Sequence, residues 1–340
     1  MQNTLHCPVC KKDQNEPILN RKIKPPQGKL KSNLGDINFV RNHILFDKLY
    51  PGKSSLEFVF KVCKNCGFIF FTPRPTDDDM RIKYEITDEL HDVDVRENLA
   101  YSNAPTYEDK RALHIYKKLK RIRKLENLQV TDIGGSEGPN LTYFIKNNTC
   151  TVIDYVQRDL IDGAKYLCKT VQDIPEEINF DVALFCHTLE HVVDPKEELL
   201  RIKEKLAPNG LLYIEVPAGC WRDFRETKNF LTHVNFFSTG SLWYLLDSCG
   251  FNIKHLKRNP TLTPTGYDDV LVAIGEKSTP QNKNIDHYDV TQKQMTKRPY
   301  LLYIKLELLT FLLVSTKEKF QFLVRIPLKI VGLLKKLIKR

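Results

Sequence analysis

Residues 128–138 constrain this chain more than any other stretch. An apolar run ending in Thr131-Asp132-Ile133 opens into Gly134-Gly135-Ser136-Glu137-Gly138, and a second apolar run, 150–153, ends in Asp154. A strand, a glycine turn and an acidic tip in that order predict the first half of a doubly wound sheet, with a pocket for a nucleoside at the turn. Gly134 and Gly138 let the backbone approach a ligand closely, and residues 140–146 are expected to begin the following helix. Asp154, at the tip of the second strand, can accept both hydrogen bonds of a ribose diol. The glycine order, G-G-x-x-G, differs from the G-x-G-x-x-G that cradles a dinucleotide pyrophosphate.

Residues 180–186 read as a strand buried on both faces, and 187–195 as a loop opening a helix that runs to residue 206. Pro208-Asn209-Gly210 then turns the chain into a strand over 211–216. Taken in order, these segments resemble the class I S-adenosylmethionine-dependent methyltransferases. The pattern D-x-G-x-G-x-G, acidic tip, F-D-x-x, L-E-H-x-x-D-P and L-x-P-x-G-x-L-x-I-E-V-P is met across residues 128–217. The resemblance implies an α/β, Rossmann-like fold, doubly wound around a mostly parallel sheet, with S-adenosylmethionine as cofactor. It implies cofactor contacts at Asp132, Gly134, Gly135, Ser136, Gly138, Asp154, Asp173, Ile174 and His187. Ser136 stands where the family has its second glycine, a mild departure if the residue keeps an ordinary φ.

Nine cysteines are present, and four form two knuckles, Cys7-Pro8-Val9-Cys10 and Cys63-Lys64-Asn65-Cys66, whose pairing suits a tetrahedral thiolate site for zinc. With no secretory signal peptide and a nucleotide-type domain, a reducing cytoplasm is expected over a disulfide framework. The run from Cys63 through Gly67 to Thr72-Pro73-Arg74-Pro75 resembles the end of the ribbon that precedes the methyltransferase domain in many bacterial sugar methyltransferases.

A chain of 340 residues, 41% hydrophobic, can bury one large core and carry smaller appendages. The expected division is a small zinc ribbon over 1–75, a helical connector over 76–127 with a basic helix at 108–126, the methyltransferase domain over 128–277, a polar linker over 278–298 and a basic amphipathic helical tail over 299–340. Net charge is +10, and residues 297–340 hold eleven Lys or Arg against two Glu, so nearly all of the surplus lies in the tail. There Leu328, Val331, Leu334 and Ile338 fall at helical spacing, with Lys329, Lys336, Lys339 and Arg340 elsewhere on the wheel. Such a helix can lie on an anionic membrane surface; the plainer alternative is a helical hairpin packed on the domain or on a dimer partner. The longest apolar uncharged run in the tail, 308–316, is far too short to span a bilayer.

Methyl transfer to a hydroxyl requires the acceptor oxygen to be aligned with the methyl carbon and one proton to be removed. Segment 231–242 is similar to the H-E-H-x-x-Y-F-S-x-x-S-L of sugar methyltransferases. His233 falls on its second histidine, whereas Leu231 and Thr232 replace the first histidine and the glutamate. Those two groups belong to enzymes that methylate carbon, so a lone His233 as base points to O-methylation. A histidine merely hydrogen-bonded at a loop edge is the alternative. Glu190 and His191 are taken with His233 as catalytic candidates beside the acceptor. His187-Thr188-Leu189-Glu190-His191 also fits H-x-x-E-H, the inverted zinc-peptidase motif. That motif needs both histidines inside one helix, whereas here His187 closes a strand and Asp194-Pro195 follows.

The expected acceptor is a saccharide in surface-glycan assembly, nucleotide-linked, or lipid-linked if the tail rests on a membrane. The location is then cytoplasmic, or peripheral on the inner face of the cell membrane. Arg74, Arg222, Arg225 and Lys228 are candidates for a phosphate or diphosphate, and Trp221, Phe224, Phe236, Phe237, Trp243 and Tyr244 for stacking on a sugar. Taken singly, surface charge and core packing account for them better. Carbon methylation of a nucleotide deoxysugar, RNA methylation and an inactive interaction protein on the same scaffold stay open. Nucleic acid is the weaker partner, because the positive charge is confined to an apolar tail.

Overall fold

The computed structural model describes residues 6–27, 37–89, 104–218, 230–263, 266–279 and 285–296. From the amino end, the elements are β1 (Asn15–Ile23), α1 (Ile37–His43), β2 (Leu56–Cys63), β3 (Ile69–Thr72), α2 (Asp77–Glu89) and α3 (Ala104–Lys120). Next come β4 (Gln129–Ile133), β5 (Thr149–Ile153), β6 (Ala164–Cys168), β7 (Phe180–Cys186), α4 (Pro195–Glu204) and β8 (Leu206–Pro217). They are followed by β9 (Asn235–Phe236), α5 (Thr239–Ser248), β10 (Phe251–Thr263), β11 (Gly266–Lys277) and α6 (His287–Thr296).

A seven-stranded sheet runs in the order β10-β11-β8-β7-β4-β5-β6. Strands β4 to β8 are parallel, and the β10–β11 hairpin closes one edge antiparallel to β8. This is the expected doubly wound, mostly parallel α/β fold. In β7, Val182 and Leu184 alternate with Ala183 and Phe185, and all four are fully buried, as a strand covered on both faces requires. Ile115 and Leu119 of α3 share a core with the first pair, and Leu199 and Ile202 of α4, with Leu242 and Leu245 of α5, share one with the second. Each such side chain contributes roughly 1.5–3 kcal/mol when fully buried. The chain leaves β4 toward β5 and β6 and comes back to β7 on the other side. The connections that follow β4 and β7 therefore part at their carboxyl ends, which is where an open α/β sheet receives its ligand.

A second, antiparallel sheet has the order β1-β2-β3-β9, and β9 comes from beyond β8. Phe58 on β2 stacks on Phe230, with ring centroids 3.9 Å apart. Cys7, Cys63, Cys66 and Phe68 lie in the same core as Phe185, Leu212 and Leu242 of the large sheet and α5. The expected boundary at residue 75 is thus not a boundary of packing: among the described residues, β3 pairs with β9 and the cysteine knuckles share a core with the large sheet.

Three other expectations are corrected. Residues 140–146 hold no α-helix but two short 3-10 turns, Pro139–Leu141 and Ile145–Asn147, and Phe144 packs edge-on to Tyr116 of α3, 5.2 Å away, so the preceding helix supplies this layer. The basic helix expected at 108–126 is α3, which begins and ends earlier. The expected linker contains α6, whose His287, Thr291 and Met295 are buried at four-residue spacing, with Thr291 Oγ1 2.6 Å from Ser238 Oγ. Phe236 and Phe237 are core residues, Trp243 stacks on His287, and the Tyr244 hydroxyl accepts a hydrogen bond from Asn65, so these rings serve packing. The tail over 299–340 and Trp221, Arg222, Phe224, Arg225 and Lys228 lie outside the described residues. Among the described residues, no helix is long and apolar enough to cross a membrane.

Candidate active site

The turn after β4 leaves no room for a side chain at Gly134 or Gly135. Gly134, Ser136 and Gly138 hold left-handed backbone, with φ of +70°, +52° and +82°. A Cβ on Gly135 would come within 2.6 Å of the Asp132 carboxyl carbon, and one on Gly134 within 2.5 Å of the Thr188 hydroxyl. Ser136 thus does not meet the condition under which its replacement of the family glycine is mild: left-handed backbone costs a residue with a Cβ roughly 1 kcal/mol. Its amide donates to Asp154 Oδ2 at 2.9 Å, and Asp154 Oδ1 accepts from the Val156 amide at 3.1 Å. The acidic tip of β5 is thereby fixed beside the turn, with lone pairs left over for a diol. Asp173 accepts from the Thr170 amide at 3.0 Å and its hydroxyl at 2.7 Å through one oxygen, which makes it the cap of a short turn, and Ile174 is buried in the core.

Asp132 lies under Gly135, buried, with Oδ2 accepting from Asn140 Nδ2 at 3.0 Å and Oδ1 without a hydrogen-bond partner. Burial pushes its carboxyl up to about 7, against the opposing pull of Asn140 and Arg111. An acid raised on folding contributes stability that is complete below its unfolded pKa, near 3.9, and is lost as pH rises through 7. Asp132→Asn keeps the neutral shape at every pH. It is expected to unfold about 2–4 kcal/mol harder than the parent near pH 8 and to lose that advantage near pH 4. Urea melts at the two pH values check this; equal midpoints at both would show that the buried carboxylate carries no penalty.

The loop between β7 and α4 carries the imidazoles. His187, with φ +53°, directs Nε2 toward Glu215 Oε1 at 3.1 Å and Nδ1 toward Glu190 Oε1 at 3.4 Å. Glu215, fully buried on β8, also pairs with Arg111 Nε at 3.0 Å and accepts from the Tyr213 hydroxyl at 3.1 Å. Burial would lower His187, but the two carboxylates raise it to about 9. Burial would raise Glu190, but His187 and then His191 hold it down to about 2. His191 Nδ1 stands 2.6 Å from the Thr232 carbonyl oxygen, so Nδ1 carries the hydrogen and Nε2 keeps its lone pair, 3.7 Å from Glu190 Oε1. Burial brings His191 down to about 3 and also lowers His233, which stands edge-on to it with ring centroids 5.1 Å apart. At neutral pH the cluster is a carboxylate, a cationic His187 and two neutral imidazoles.

Helix α2 links the two halves of the site. Lys83, 2% exposed, places Nζ 4.0 Å from the Tyr84 ring centre, and Tyr84 stacks on Tyr155, the residue after Asp154. Burial and the charge of Arg41 bring Lys83 down to about 7, with Glu190 opposing. Arg74 is not a surface phosphate ligand. It is buried and donates to Val234 O, Val193 O and Asn235 Oδ1, each at 2.9 Å, so it ties the loop of His191 to the loop of His233. Sequence reasoning missed Lys83, Tyr84, Arg111 and Glu215; only Glu215, a charge inside an apolar strand, carried a local signal.

The four cysteines of the knuckles converge. Cys7 Sγ is 3.6 Å from Cys66 Sγ, and Cys10 Sγ is 3.4 Å from Cys63 Sγ, with all four within 4.8 Å of one another. Tetrahedral thiolates around zinc stand roughly 3.8 Å apart, given a metal–sulfur bond of about 2.3 Å.

Residues 107–256 match the family model described as a methyltransferase domain. That segment, less than half of the chain, holds the parallel strands β4 to β8 and the glycine turn. Over 59 residues the chain is 37% identical to the ubiquinone biosynthesis O-methyltransferase of Bradyrhizobium diazoefficiens, a stretch covering 17% of this chain and 23% of that relative. The match thus spans less than a quarter of that protein's length. Among solved structures, the Burkholderia thailandensis 1,6-didemethyltoxoflavin-N1-methyltransferase, with bound 1,6-didemethyltoxoflavin and S-adenosylhomocysteine, superposes with TM-score 0.47 and 18% identity, covering 62% of this chain and 96% of that one. An S-adenosylmethionine-dependent methyltransferase from Methanosarcina mazei gives TM-score 0.36 and 19% identity over 47% of this chain and 97% of its own.

Proposed function

We propose that the chain is an S-adenosylmethionine-dependent O-methyltransferase whose acceptor is a saccharide hydroxyl, nucleotide-linked or lipid-linked, in surface-glycan assembly. What carries this reading is the group of buried Glu190 with half-buried His191 and His233 at the carboxyl ends of the same parallel strands as the glycine turn and Asp154. The residues at the turn fit the cofactor: glycines stand where a Cβ would clash, and a buried Asp132 oxygen awaits a donor. When bound, S-adenosylmethionine supplies an electrophilic methyl group, and sulfur keeps the electron pair of the breaking bond as the oxygen–carbon bond forms. Asp154 would hold the ribose diol. Neutral His233 would receive the hydroxyl proton, its loop held by Arg74 and Asn235. Oxygen is favoured over carbon because Leu231 and Thr232 stand where carbon-methylating enzymes carry the histidine and glutamate that take a proton from carbon.

The cysteine cluster would hold one zinc ion in a closed structural site. The basic tail would rest on an anionic membrane surface and bring the enzyme to a lipid-linked acceptor. Labelled cofactor incubated with nucleotide sugars, and separately with lipid-linked glycans in mixed micelles, should label one class of saccharide. His233→Ala should slow that transfer by ~10²-fold or more, with cofactor affinity by calorimetry little changed, whereas Asp154→Ala should remove cofactor binding. Undiminished turnover in the His233 variant would retire it from the chemistry, and cofactor binding without transfer to either saccharide class would overturn the acceptor.

A further inference from the structure

We propose that Glu190, His191 and His233 form a divalent-cation site that holds adjacent hydroxyls of the acceptor. A carboxylate oxygen of Glu190 and one ring nitrogen from each histidine lie within 4.8 Å of one another, brought together from two loops. Two further observations point to a cation. Glu190 is 2% exposed, and neither of its carboxylate oxygens has a hydrogen-bond partner; cationic His187, its Nδ1 3.4 Å from Oε1, and His191 Nε2, 3.7 Å away, face it as ion-pair neighbours only. His187 offsets part of the desolvation penalty of that buried carboxylate, and a metal ion bonded to its oxygens would offset more. His191, in turn, donates Nδ1–H to the Thr232 carbonyl at 2.6 Å, which fixes the tautomer and aims the Nε2 lone pair into the cluster. Metal-bound imidazoles are held by that second hydrogen bond.

One carboxylate and two imidazoles suit a first-row divalent ion such as Mn²⁺, Fe²⁺ or Zn²⁺ better than Ca²⁺, and they leave coordination positions open. Two vicinal hydroxyls of a sugar fit such positions, and coordination lowers the pKa of the attacking hydroxyl as it does that of water. The inference rests on the methyltransferase reading and changes one part of it: His233 holds the cation instead of taking the proton, which passes to water. It also selects among acceptors, because a sugar with an adjacent diol is held at two points and an isolated hydroxyl at one.

The full chain, dialysed against EDTA, is titrated with Mn²⁺ while free manganese is read by electron paramagnetic resonance. One bound manganese per chain is expected, with affinity reduced at least tenfold in Glu190→Gln and in His233→Asn. Calorimetry with S-adenosylmethionine on the same samples reports that the variants are folded, and it tests the methyltransferase reading on its own. Absence of manganese binding in a wild-type chain that binds the cofactor, or full binding in Glu190→Gln, would overturn the cation site and leave the methyltransferase reading standing. In the active enzyme, EDTA should suppress transfer and Mn²⁺ restore it.

Discussion

Arg74→Met is expected to lower the stability of the fold by about 2–5 kcal/mol, because buried neutral acceptors lose their donor. The guanidinium is buried and serves three acceptors, two of them main-chain carbonyls. Burial lowers it only to about 10, so it is a cation at every pH of interest. Methionine fills much of the aliphatic volume but leaves Val193 O and Val234 O facing apolar surroundings. Each orphaned acceptor costs roughly 1–3 kcal/mol. Asn235 keeps its own donations to Leu189 O and Val192 O, at 2.8 and 2.7 Å, so the loops should loosen rather than separate. On the proposed reading, turnover should therefore fall while affinity for the cofactor, which would bind at the ends of β4 and β5, holds. Urea melts and calorimetry read the two parts separately. A loss under about 1 kcal/mol would mean that water replaces the guanidinium.

That Arg74 is a bolt and not a phosphate ligand illustrates what the sequence conceals. The Pro-Arg-Pro context gives no sign of burial, which arises from contacts 119 to 161 positions away in the chain. The parallel strands were legible because each is a short apolar run bounded by turn residues, and the glycine turn because a strand leads into it. Asp154 was legible from its place at a strand tip. Helix α6 was not, because His287, Thr291 and Met295 make a buried face without looking apolar. Nor was β9, only two residues long, whose pairing of Phe236 with Ile69 joins the amino-terminal sheet to the loop of His233. The left-handed Ser136 breaks a rule of local propensity, and no neighbouring residue announces it. Lys83 and Tyr84 sit in a helix whose sequence reads as a solvated, charged segment. Only the fold turns them toward Glu190 and Tyr155.

Cys63→Ser combined with Cys66→Ser is expected to unfold the whole chain rather than its first 75 residues alone. Structural zinc contributes roughly 10–16 kcal/mol in small sites, while a domain's entire stability is of order 5–15 kcal/mol. If the thiolates hold zinc, losing two of four ligands removes an amount comparable to the whole. An autonomous ribbon would melt by itself and leave the methyltransferase sheet intact. This one cannot be expected to do so, because Cys7, Cys63, Cys66 and Phe68 share a core with Phe185, Leu212 and Leu242, and β3 pairs with β9. Helix α6 adds to the coupling, since Gly67 in the second knuckle lies so close to Thr291 and His287 that a side chain there would clash. Wild-type protein should contain about one zinc per chain and lose it, together with far-ultraviolet ellipticity and cofactor binding, in the double variant. A variant that keeps cofactor affinity after losing the metal would show that the two sheets fold independently, and a metal-free wild type would remove zinc from the architecture.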